Sequence, residues 1–148
     1  MIFDTKNIFK TYPWLKKKKM PMIISSSYDG LLCAALLKHH LDWELVGYYN
    51  HESLWVSEQA IKNKKEIIWV DLNILPKQGK AIGGHIVSVD GFIPNGFETS
   101  CNPNILDGLT ANSFKSKFPF STLIFLLWLY KIDIPKELMA KLLILNTV

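Results

Sequence analysis

Short apolar runs alternate with longer amphipathic stretches along most of the chain. Four runs have the length and the flanking polar residues of β-strands: Met22–Ser26, Leu45–Tyr49, Glu66–Leu72 and His85–Val89. Within the third, the continuous apolar run Ile67–Val70 suits a strand that is buried on both faces. The pattern therefore predicts at least four strands in this order.

The stretches between and beyond these runs carry apolar residues at helical spacing. They predict helices over residues 5–18, Leu31–Leu41, Ser53–Lys64 and Ser121–Lys131, and a last helix opened by Pro135. Pro13 argues against a continuous first helix. A loop rich in Gly, Pro and Asn is expected from Asp90 to Asp107, and Leu142–Leu145 fits either the end of the last helix or a further strand.

This alternation of strands and helices favours an α/β fold in which right-handed crossovers join parallel strands. The 148 residues suffice for a single domain with one core, so we expect one domain over residues 1–148. The chain stops directly after the apolar run LLILNTV, which suggests a C-terminal truncation of a longer α/β fold.

The composition indicates where the protein is located and what it could bind, but it does not indicate a reaction. The net charge of +4 permits a phosphate-bearing partner without requiring one. The lysine run Lys16–Lys19 fits a solvated loop better than a phosphate site, although Trp14 beside it could stack on a base. The longest apolar block, Leu123–Tyr130, is shorter than the roughly 20 residues of a membrane-spanning helix. With no secretory signal and no CxxC motif, Cys33 and Cys101 predict reduced thiols in a cytoplasmic protein without membrane contact.

Three aspartates follow predicted strands at equivalent positions. Asp29 comes after the first strand in SSSYDG, Asp71 ends the third in IIWVDLN, and Asp90 ends the fourth in HIVSVDG. A single aspartate there is often only a helix cap or turn residue. Three at one edge of a parallel sheet instead suggest oxygen ligands for Mg²⁺ or Mn²⁺, which can polarise a phosphoryl oxygen. The sequence therefore predicts a divalent-cation site on these carboxylates.

The order SSSYDG, IIWVDLN, IVSVDGF, CNPN and FPFSTL over roughly residues 22–130 resembles the DHH phosphoesterase superfamily. That superfamily includes RecJ-like single-strand exonucleases, small-nucleotide phosphodiesterases and manganese pyrophosphatases. The resemblance implies a parallel-sheet, Rossmann-like three-layer domain, as in the N-terminal domain of these proteins. It also implies Mn or Mg on Asp29, Asp71 and Asp90. The second, substrate-binding domain of the family has no room in 148 residues.

The chain departs from the family pattern at several ligand positions. The first motif, approximately His-x-Asp-x-Asp-Gly, falls on residues 25–30, where Ser25 and Ser27 stand in place of the histidine and the first aspartate. In the Asp-His-His signature, Asp90 remains, but Gly91 and Phe92 replace both histidines. Serine is a poor ligand for a divalent ion, and glycine and phenylalanine side chains are none. The resemblance therefore implies a weakened metal site.

Other positions follow from the same resemblance. The asparagine-proline segment of the family corresponds to Asn102 and Asn104, which with Ser25 and Ser27 are the candidate substrate-binding residues. A later family aspartate would fall near Asn146 if LLILNTV is a strand.

We weigh three functions. The favoured one is a degenerate DHH-like domain with weakened or lost phosphodiester hydrolysis, acting as a binding or assembly module for a protein partner or a separate second domain. The alternative is an active phosphoesterase that uses one Mn or Mg ion on a nucleotide or single-stranded nucleic acid. The third rests on the likeness of SSSYDG to the Ser-Gly-Gly-x-Asp-Ser loop of PP-loop ATP pyrophosphatases, in which Ser26 and Ser27 take the places of glycines.

The remaining titratable residues receive structural interpretations. His39 and His40 are expected on a helix surface and His51 in a loop. His85 is expected to begin the fourth strand, at the edge opposite Asp90, with a structural role. For a metal-free cluster we expect Asp71→Ala to relieve repulsion between carboxylates and so to stabilise the fold.

Overall fold

A computed structural model describes residues 4–72, 79–85, 88, 92, 97–116 and 121–147. These residues form one six-stranded sheet in the order β3-β2-β1-β4-β5-β6. The strands are β1 (Pro21–Ser25), β2 (Glu44–Tyr49), β3 (Leu54–Val56), β4 (Ile68–Val70), β5 (Lys80–Ile82) and β6 (Ser100–Cys101). All neighbouring strands run parallel except β2 and β3, which are antiparallel. The protein is therefore an α/β fold with a mixed, mostly parallel sheet, as predicted in general form.

Five of the six described α-helices begin at a residue whose side chain caps them. The six are α1 (Thr5–Thr11), α2 (Tyr28–Leu41), α3 (Glu58–Lys62), α4 (Pro103–Leu106), α5 (Thr122–Leu129) and α6 (Leu138–Leu145). Side-chain oxygens of Asp4, Ser27, Ser57 and Ser121 accept hydrogen bonds from the first turns of α1, α2, α3 and α5. Each satisfies a backbone N–H that the helix itself leaves without a partner.

A hydrophobic cluster lies on each side of the sheet because successive strand residues point to opposite faces. Met22 and Ile24 of β1 belong to the larger cluster, which also contains Leu37 of α2 and Phe125 of α5. Ile23, between them, belongs to the smaller cluster, which also contains buried residues of β2 and α3. The larger cluster thus joins the sheet to α2 and α5, the two helices that position the candidate site.

The predicted helix over Ser53–Lys64 is wrong in its first half. Leu54–Val56 forms the antiparallel strand β3 on Gly47–Tyr49, and only Glu58–Lys62 is α-helical. The reversal occurs at Asn50, whose Oδ1 accepts the backbone N–H groups of Glu52 and Ser53 at 3.2 and 2.7 Å. An Asx-type turn therefore folds this stretch back onto β2 before the helix begins.

The chain between β4 and α5 also differs from the prediction. The strand that follows β4 among the described residues is Lys80–Ile82, which was not predicted. Of the predicted strand His85–Val89, residues 86, 87 and 89 lie outside the described residues, and Ser88 forms an isolated parallel bridge with Thr110. The segment predicted as a loop from Asp90 to Asp107 contains β6 and α4. These elements are only two and four residues long, too short for hydrophobic periodicity to reveal.

The first and last predicted helices can also be compared with the structure. The predicted helix over residues 5–18 breaks at Tyr12, after which Pro13–Lys16 forms a 3₁₀ turn, consistent with the proline. Trp14 is buried, so its ring is not available to stack on a base. At the other end Pro135 precedes α6, which starts at Leu138, and Leu142–Leu145 is the end of that helix.

Within the part of the chain that the structure describes, no helix is long and apolar enough to cross a bilayer.

Gly47 allows β3 to approach β2. A Cβ atom at this position would lie 2.3 Å from the carbonyl oxygen of Trp55 and 3.0 Å from Cγ1 of Val56. We therefore expect Gly47→Ala to displace β3 and to lower the free energy of unfolding by about 1–3 kcal/mol, as overpacking does. Urea denaturation measures the change. Glu44→Ala, at an exposed position of the same strand, should stay within about 0.5 kcal/mol, and equal midpoints for the two variants would contradict this account.

Candidate functional site

Asp71 lies directly after β4, at the carboxyl edge of the sheet. Its backbone adopts the left-handed conformation, with φ of 58°, which aspartate tolerates better than most residues. Its N–H donates to the carbonyl oxygen of Ile82 at 2.8 Å. Its side chain is 2% exposed, so the carboxylate is held inside the protein at the point where the chain leaves β4.

Four side-chain donors surround the Asp71 carboxylate. Oδ2 accepts the hydroxyls of Ser25 and Ser27 at 2.5 and 2.7 Å. Oδ1 accepts the Thr122 hydroxyl at 2.7 Å and lies 2.8 Å from His85 Nε2. A carboxylate has about four lone-pair positions, and here every one faces a donor. We call Asp71 and these four residues, together with Asp29, the polar cluster.

Asp29 lies in the first turn of α2 and reaches the start of α5. Its Oδ2 accepts the backbone N–H of Thr122 at 2.7 Å, and its Oδ1 accepts that of Leu123 at 2.9 Å. The Cys33 thiol lies 3.5 Å from Oδ1. A carboxylate at a helix N-terminus satisfies its free N–H groups and interacts favourably with the helix dipole. Asp29 therefore acts as a cap for α5, supplied by a distant part of the chain.

Gly30 lets the start of α2 pack against the end of β1. A Cβ atom there would lie 2.4 Å from the Ser25 hydroxyl oxygen and 2.5 Å from its carbonyl oxygen. The Gly30 N–H donates to the Ser27 hydroxyl at 2.9 Å. Ser27 thus caps α2 and donates to Asp71 at the same time. The glycine of SSSYDG is needed for this close approach, whatever the chemistry of the site.

The two carboxyl groups have opposite pKa shifts. Burial, followed by the negative charge of Asp71, raises the pKa of Asp29 to about 6, against the hydrogen bonds from Leu123 and Thr122. Burial also acts to raise the pKa of Asp71, but hydrogen bonds from His85 and the three hydroxyls together lower it to about 2. Asp71 therefore keeps its charge down to about pH 2, whereas Asp29 takes up a proton first, as the pH falls through about 6.

The predicted metal ligands Asp29 and Asp71 are brought together, with Thr122 hydrogen-bonded to both. Asp90 lies outside the described residues, so its predicted role stays a prediction. Among the residues that the structure describes, no group of three or more His, Cys, Asp or Glu is arranged to hold a metal ion. The carboxylate oxygens of Asp29 and Asp71 accept hydrogen bonds from the protein instead.

The predicted substrate-binding residues all take part in internal hydrogen bonds. Ser25 and Ser27 donate to Asp71, as described above. Asn102 caps α4, accepting the N–H of Asn104 at 2.8 Å. Asn104 is fully buried, and its Nδ2 donates to the carbonyl oxygen of Gly84 at 2.6 Å. The asparagine segment therefore supports the backbone next to His85. Asn146, the position of the later family aspartate, ends α6 and not a strand.

Two cluster residues were missed from the sequence. His85 was expected at the opposite edge of the sheet, which is wrong, because it follows the end of β5 and reaches Asp71. Thr122 was given no role, although Ser121 and Thr122 before an apolar helix are a recognisable N-terminal signal. The hydroxyl of Thr122 could be assigned to Asp71 only from the packing of α5 against α2.

Comparisons with protein-family models, curated proteins and solved structures found no match to this chain. The resemblance to the DHH superfamily therefore rests on the motifs alone and remains a proposal.

Removal of the Asp71 carboxylate should be costly. Asp71→Ala leaves the buried hydroxyl of Thr122 without its acceptor and removes the acceptor that Ser25 and Ser27 share, so we expect a loss of about 2–4 kcal/mol in the free energy of unfolding. This replaces the sequence-based expectation of a stabilised variant. Urea denaturation of Asp71→Ala and of Asp133→Ala, at an exposed position, measures the difference. A stabilised Asp71→Ala would show that repulsion between carboxylates outweighs the hydrogen bonds.

The pKa of Asp29 predicts a pH dependence of stability. Its value of about 6 in the folded protein exceeds the ordinary 3.8, so the folded state holds this proton more tightly than the unfolded state. The resulting stabilisation is complete below pH 3.8 and is lost as the pH rises through about 6. The contribution of Asp71 has the opposite sign and is lost only as the pH falls through about 2.

Urea denaturation across this range tests the assignment. Asp29→Asn removes the titrating group, so its stability should decline less than that of the wild type between about pH 4 and 6. Asp133→Asn serves as the exposed control and should keep the wild-type profile. Parallel profiles for Asp29→Asn and wild type would assign the titration to another group.

Proposed function

We propose that this chain is a degenerate DHH-like phosphoesterase domain, Rossmann-like in its layers, that has lost metal-dependent phosphodiester hydrolysis and acts as a binding and assembly module. One observation carries the proposal. All four acceptor positions of Asp71, the aspartate at the second family motif, face donors of the protein itself.

The two serines support this interpretation by what they donate. Ser25 and Ser27 occupy the positions of a family histidine and aspartate, and their hydroxyls lie within hydrogen-bond distance of Asp71 Oδ2 and of each other. A metal ligand must offer a lone pair and preferably a negative charge. Here the two serines supply hydroxyl donors that stabilise a buried negative charge. A cation on Asp71 would have to displace at least one of these donors.

The start of α5 supports the loss of phosphate binding. Helix N-termini bind phosphate through their free N–H groups. In this chain the Asp29 carboxylate already accepts the N–H groups of Thr122 and Leu123. A phosphate there would compete with that carboxylate. The Ser27 hydroxyl likewise occupies the Gly30 N–H in α2, which counts against a PP-loop site for ATP pyrophosphate.

Exposed apolar side chains support an assembly role. On α6, Leu138, Met139 and Leu145 are 73%, 68% and 65% exposed, and Trp55 on β3 is 60% exposed. Apolar side chains grouped on a surface are typical of sites that contact another protein. The free, buried thiols of Cys33 and Cys101 fit a reducing compartment such as the cytoplasm, where we place this module.

A thermal-shift titration with Mn²⁺ and Mg²⁺ tests the loss of the metal site. A ligand that binds only the folded state raises the melting temperature once its concentration passes Kd. We expect the wild-type melting temperature to stay within about 1 °C up to millimolar metal, because the Asp71 lone pairs are occupied. The expected rate of hydrolysis of a generic phosphodiester, bis(p-nitrophenyl) phosphate, is that of buffer with metal alone.

Matched variants separate a specific site from weak surface binding. Asp71→Asn removes the central charge of the polar cluster, and Asp107→Asn removes a charge from an exposed aspartate. A saturable shift that Asp71→Asn abolishes and Asp107→Asn retains would overturn the proposal. It would favour the single-metal phosphoesterase acting on a nucleotide or single-stranded nucleic acid.

A further inference from the structure

The loop before β1 lies against the end of helix α2. The N–H of Lys19 donates to the carbonyl oxygen of Leu41 at 3.0 Å, and the indole N–H of Trp43 donates to the Lys17 carbonyl at 2.8 Å. Because Trp43 is fully buried, the second bond anchors the loop to the core. The lysines at 16–19 all remain exposed. They are therefore held in place beside the last turn of α2, whereas the sequence indicated only a solvated loop.

Lysines from both segments surround Asp42, the residue after α2. Lys38 Nζ lies 2.5 Å from Asp42 Oδ1. The hydrogen bond and the charge of Lys38 lower the pKa of Asp42, and the charges of Lys19 and Lys18 act in the same direction. The two segments therefore present their lysines on one surface. We call the lysines at 16–19 together with Lys38 the basic face.

The basic face carries more positive charge than its surroundings neutralise. The C-terminus of a helix offers the equivalent of about half a negative charge, and a lysine there is ordinary. Here five lysines meet two carboxylates, that of Asp42 and that of Glu44, which lines a cleft with Lys19. The difference, +3, is most of the net charge of +4 that the whole chain carries. Neither the helix end nor the neighbouring acids therefore explain why these cations are gathered.

The side chains exposed around the basic face offer charge and no aromatic rings. Lys16 Nζ lies 4.9 Å from the centroid of the Phe9 ring, which is itself partly buried against the core. Among the described residues 4–20 and 38–45, no Phe, Tyr or Trp side chain is exposed, and Leu45 is the one exposed large apolar side chain. These residues therefore offer ammonium groups to an anion but no ring on which a base could stack.

We propose that the basic face binds the phosphate backbone of a nucleic-acid duplex without sequence preference. A duplex carries a dense row of negative charges, and each ammonium group that contacts a phosphate releases a condensed counterion. Contacts to phosphates position a protein on a duplex but do not read its bases. Proteins that bind single strands add aromatic side chains on which the bases stack, and the described residues of this surface expose none.

A lipid surface is the main alternative for an array of lysines. Clustered lysines attract anionic lipids, but stable membrane binding takes a second signal, such as a lipid chain or the apolar face of an interfacial helix. Within the described residues around the basic face, the exposed large apolar side chain is a single leucine, Leu45. The surface therefore fits a duplex better than a membrane.

The basic face is separate from the polar cluster. It precedes β1 and so lies toward the amino ends of the parallel strands, whereas Asp71 lies at the carboxyl edge of the sheet. The inference goes beyond the proposed function, and it requires neither the loss nor the retention of a metal site. Binding of a metal ion and binding of a duplex can therefore succeed or fail independently of each other.

Fluorescence anisotropy of a labelled DNA duplex, titrated with the protein at several salt concentrations, tests the proposal. For the wild type we expect a micromolar Kd at about 50 mM salt, and a slope of about −4 for the logarithm of the association constant against that of the salt concentration. Lys17→Gln/Lys18→Gln removes two phosphate contacts. It should weaken binding roughly tenfold or more at the same salt concentration and make the slope shallower by about 2.

A matched variant separates a specific surface from net charge alone. Lys115→Gln/Lys141→Gln removes the same charge from exposed lysines of other segments. It should change Kd by less than about threefold. Melting temperatures establish that both double variants are folded. An equal loss of affinity in the two variants would show that binding follows net charge, and the proposal would be overturned.

Other probes define the kind of partner. Two duplexes of unrelated sequence should bind alike, and a single strand of the same length should bind no more tightly. Absence of duplex binding at about 50 mM salt overturns the proposal, and so does a clear preference for the single strand. Vesicles that contain phosphatidylserine are the last comparison. Binding to these vesicles but not to the duplex would assign the basic face to a lipid surface and overturn the proposal.

Discussion

The buried negative charge of Asp71 is the constraint on which the rest of the site depends. An ionised carboxylate taken out of water is tolerated only where donors replace its hydration. Those donors come from the end of β1, the loop after it, the turn after β5 and the start of α5. These segments must therefore be correctly placed relative to one another. Through its hydrogen bond with Thr122, the Asp71 carboxylate links this edge of the sheet to helix α5.

Asp29 and Asp71 show how two carboxyl groups in one cluster acquire different roles. Asp71 takes its hydrogen bonds from side chains, whose hydroxyls and imidazole can all orient toward it. Asp29 accepts two fixed backbone N–H groups of α5. Burial and the neighbouring charge raise its pKa despite them. Asp71 thus keeps its charge to a lower pH than Asp29, and Asp29 caps helix α5.

The sequence predicted the features that depend on local patterns. The strands β1, β2 and β4, the long helix α2 after SSSYDG and the apolar helix α5 follow from hydrophobic periodicity and caps, and the strand ends correctly brought Asp29 and Asp71 together. The strand β3 was missed because three residues are too few for a period to show. His85 was misplaced because β5, which ends shortly before it, was not predicted, so His85 was assigned to the start of a strand. The hydrogen bonds to Asp71 depend on how α5 packs, which no local pattern encodes.

The hydrogen bonds of the polar cluster also join segments that are far apart in the chain. Ser25 and Asp71 are separated by 46 residues, Asp71 and Thr122 by 51, and Asp29 and Thr122 by 93. Closing loops of such lengths costs entropy before any contact compensates for it, and contacts of this kind slow folding. Until α5 docks, the carboxylates of Asp29 and Asp71 remain hydrated, and that edge of the sheet stays exposed to water. We therefore expect water to leave this edge in one late, cooperative folding step, in which the docking of α5 completes the hydrogen bonding of both carboxyl groups.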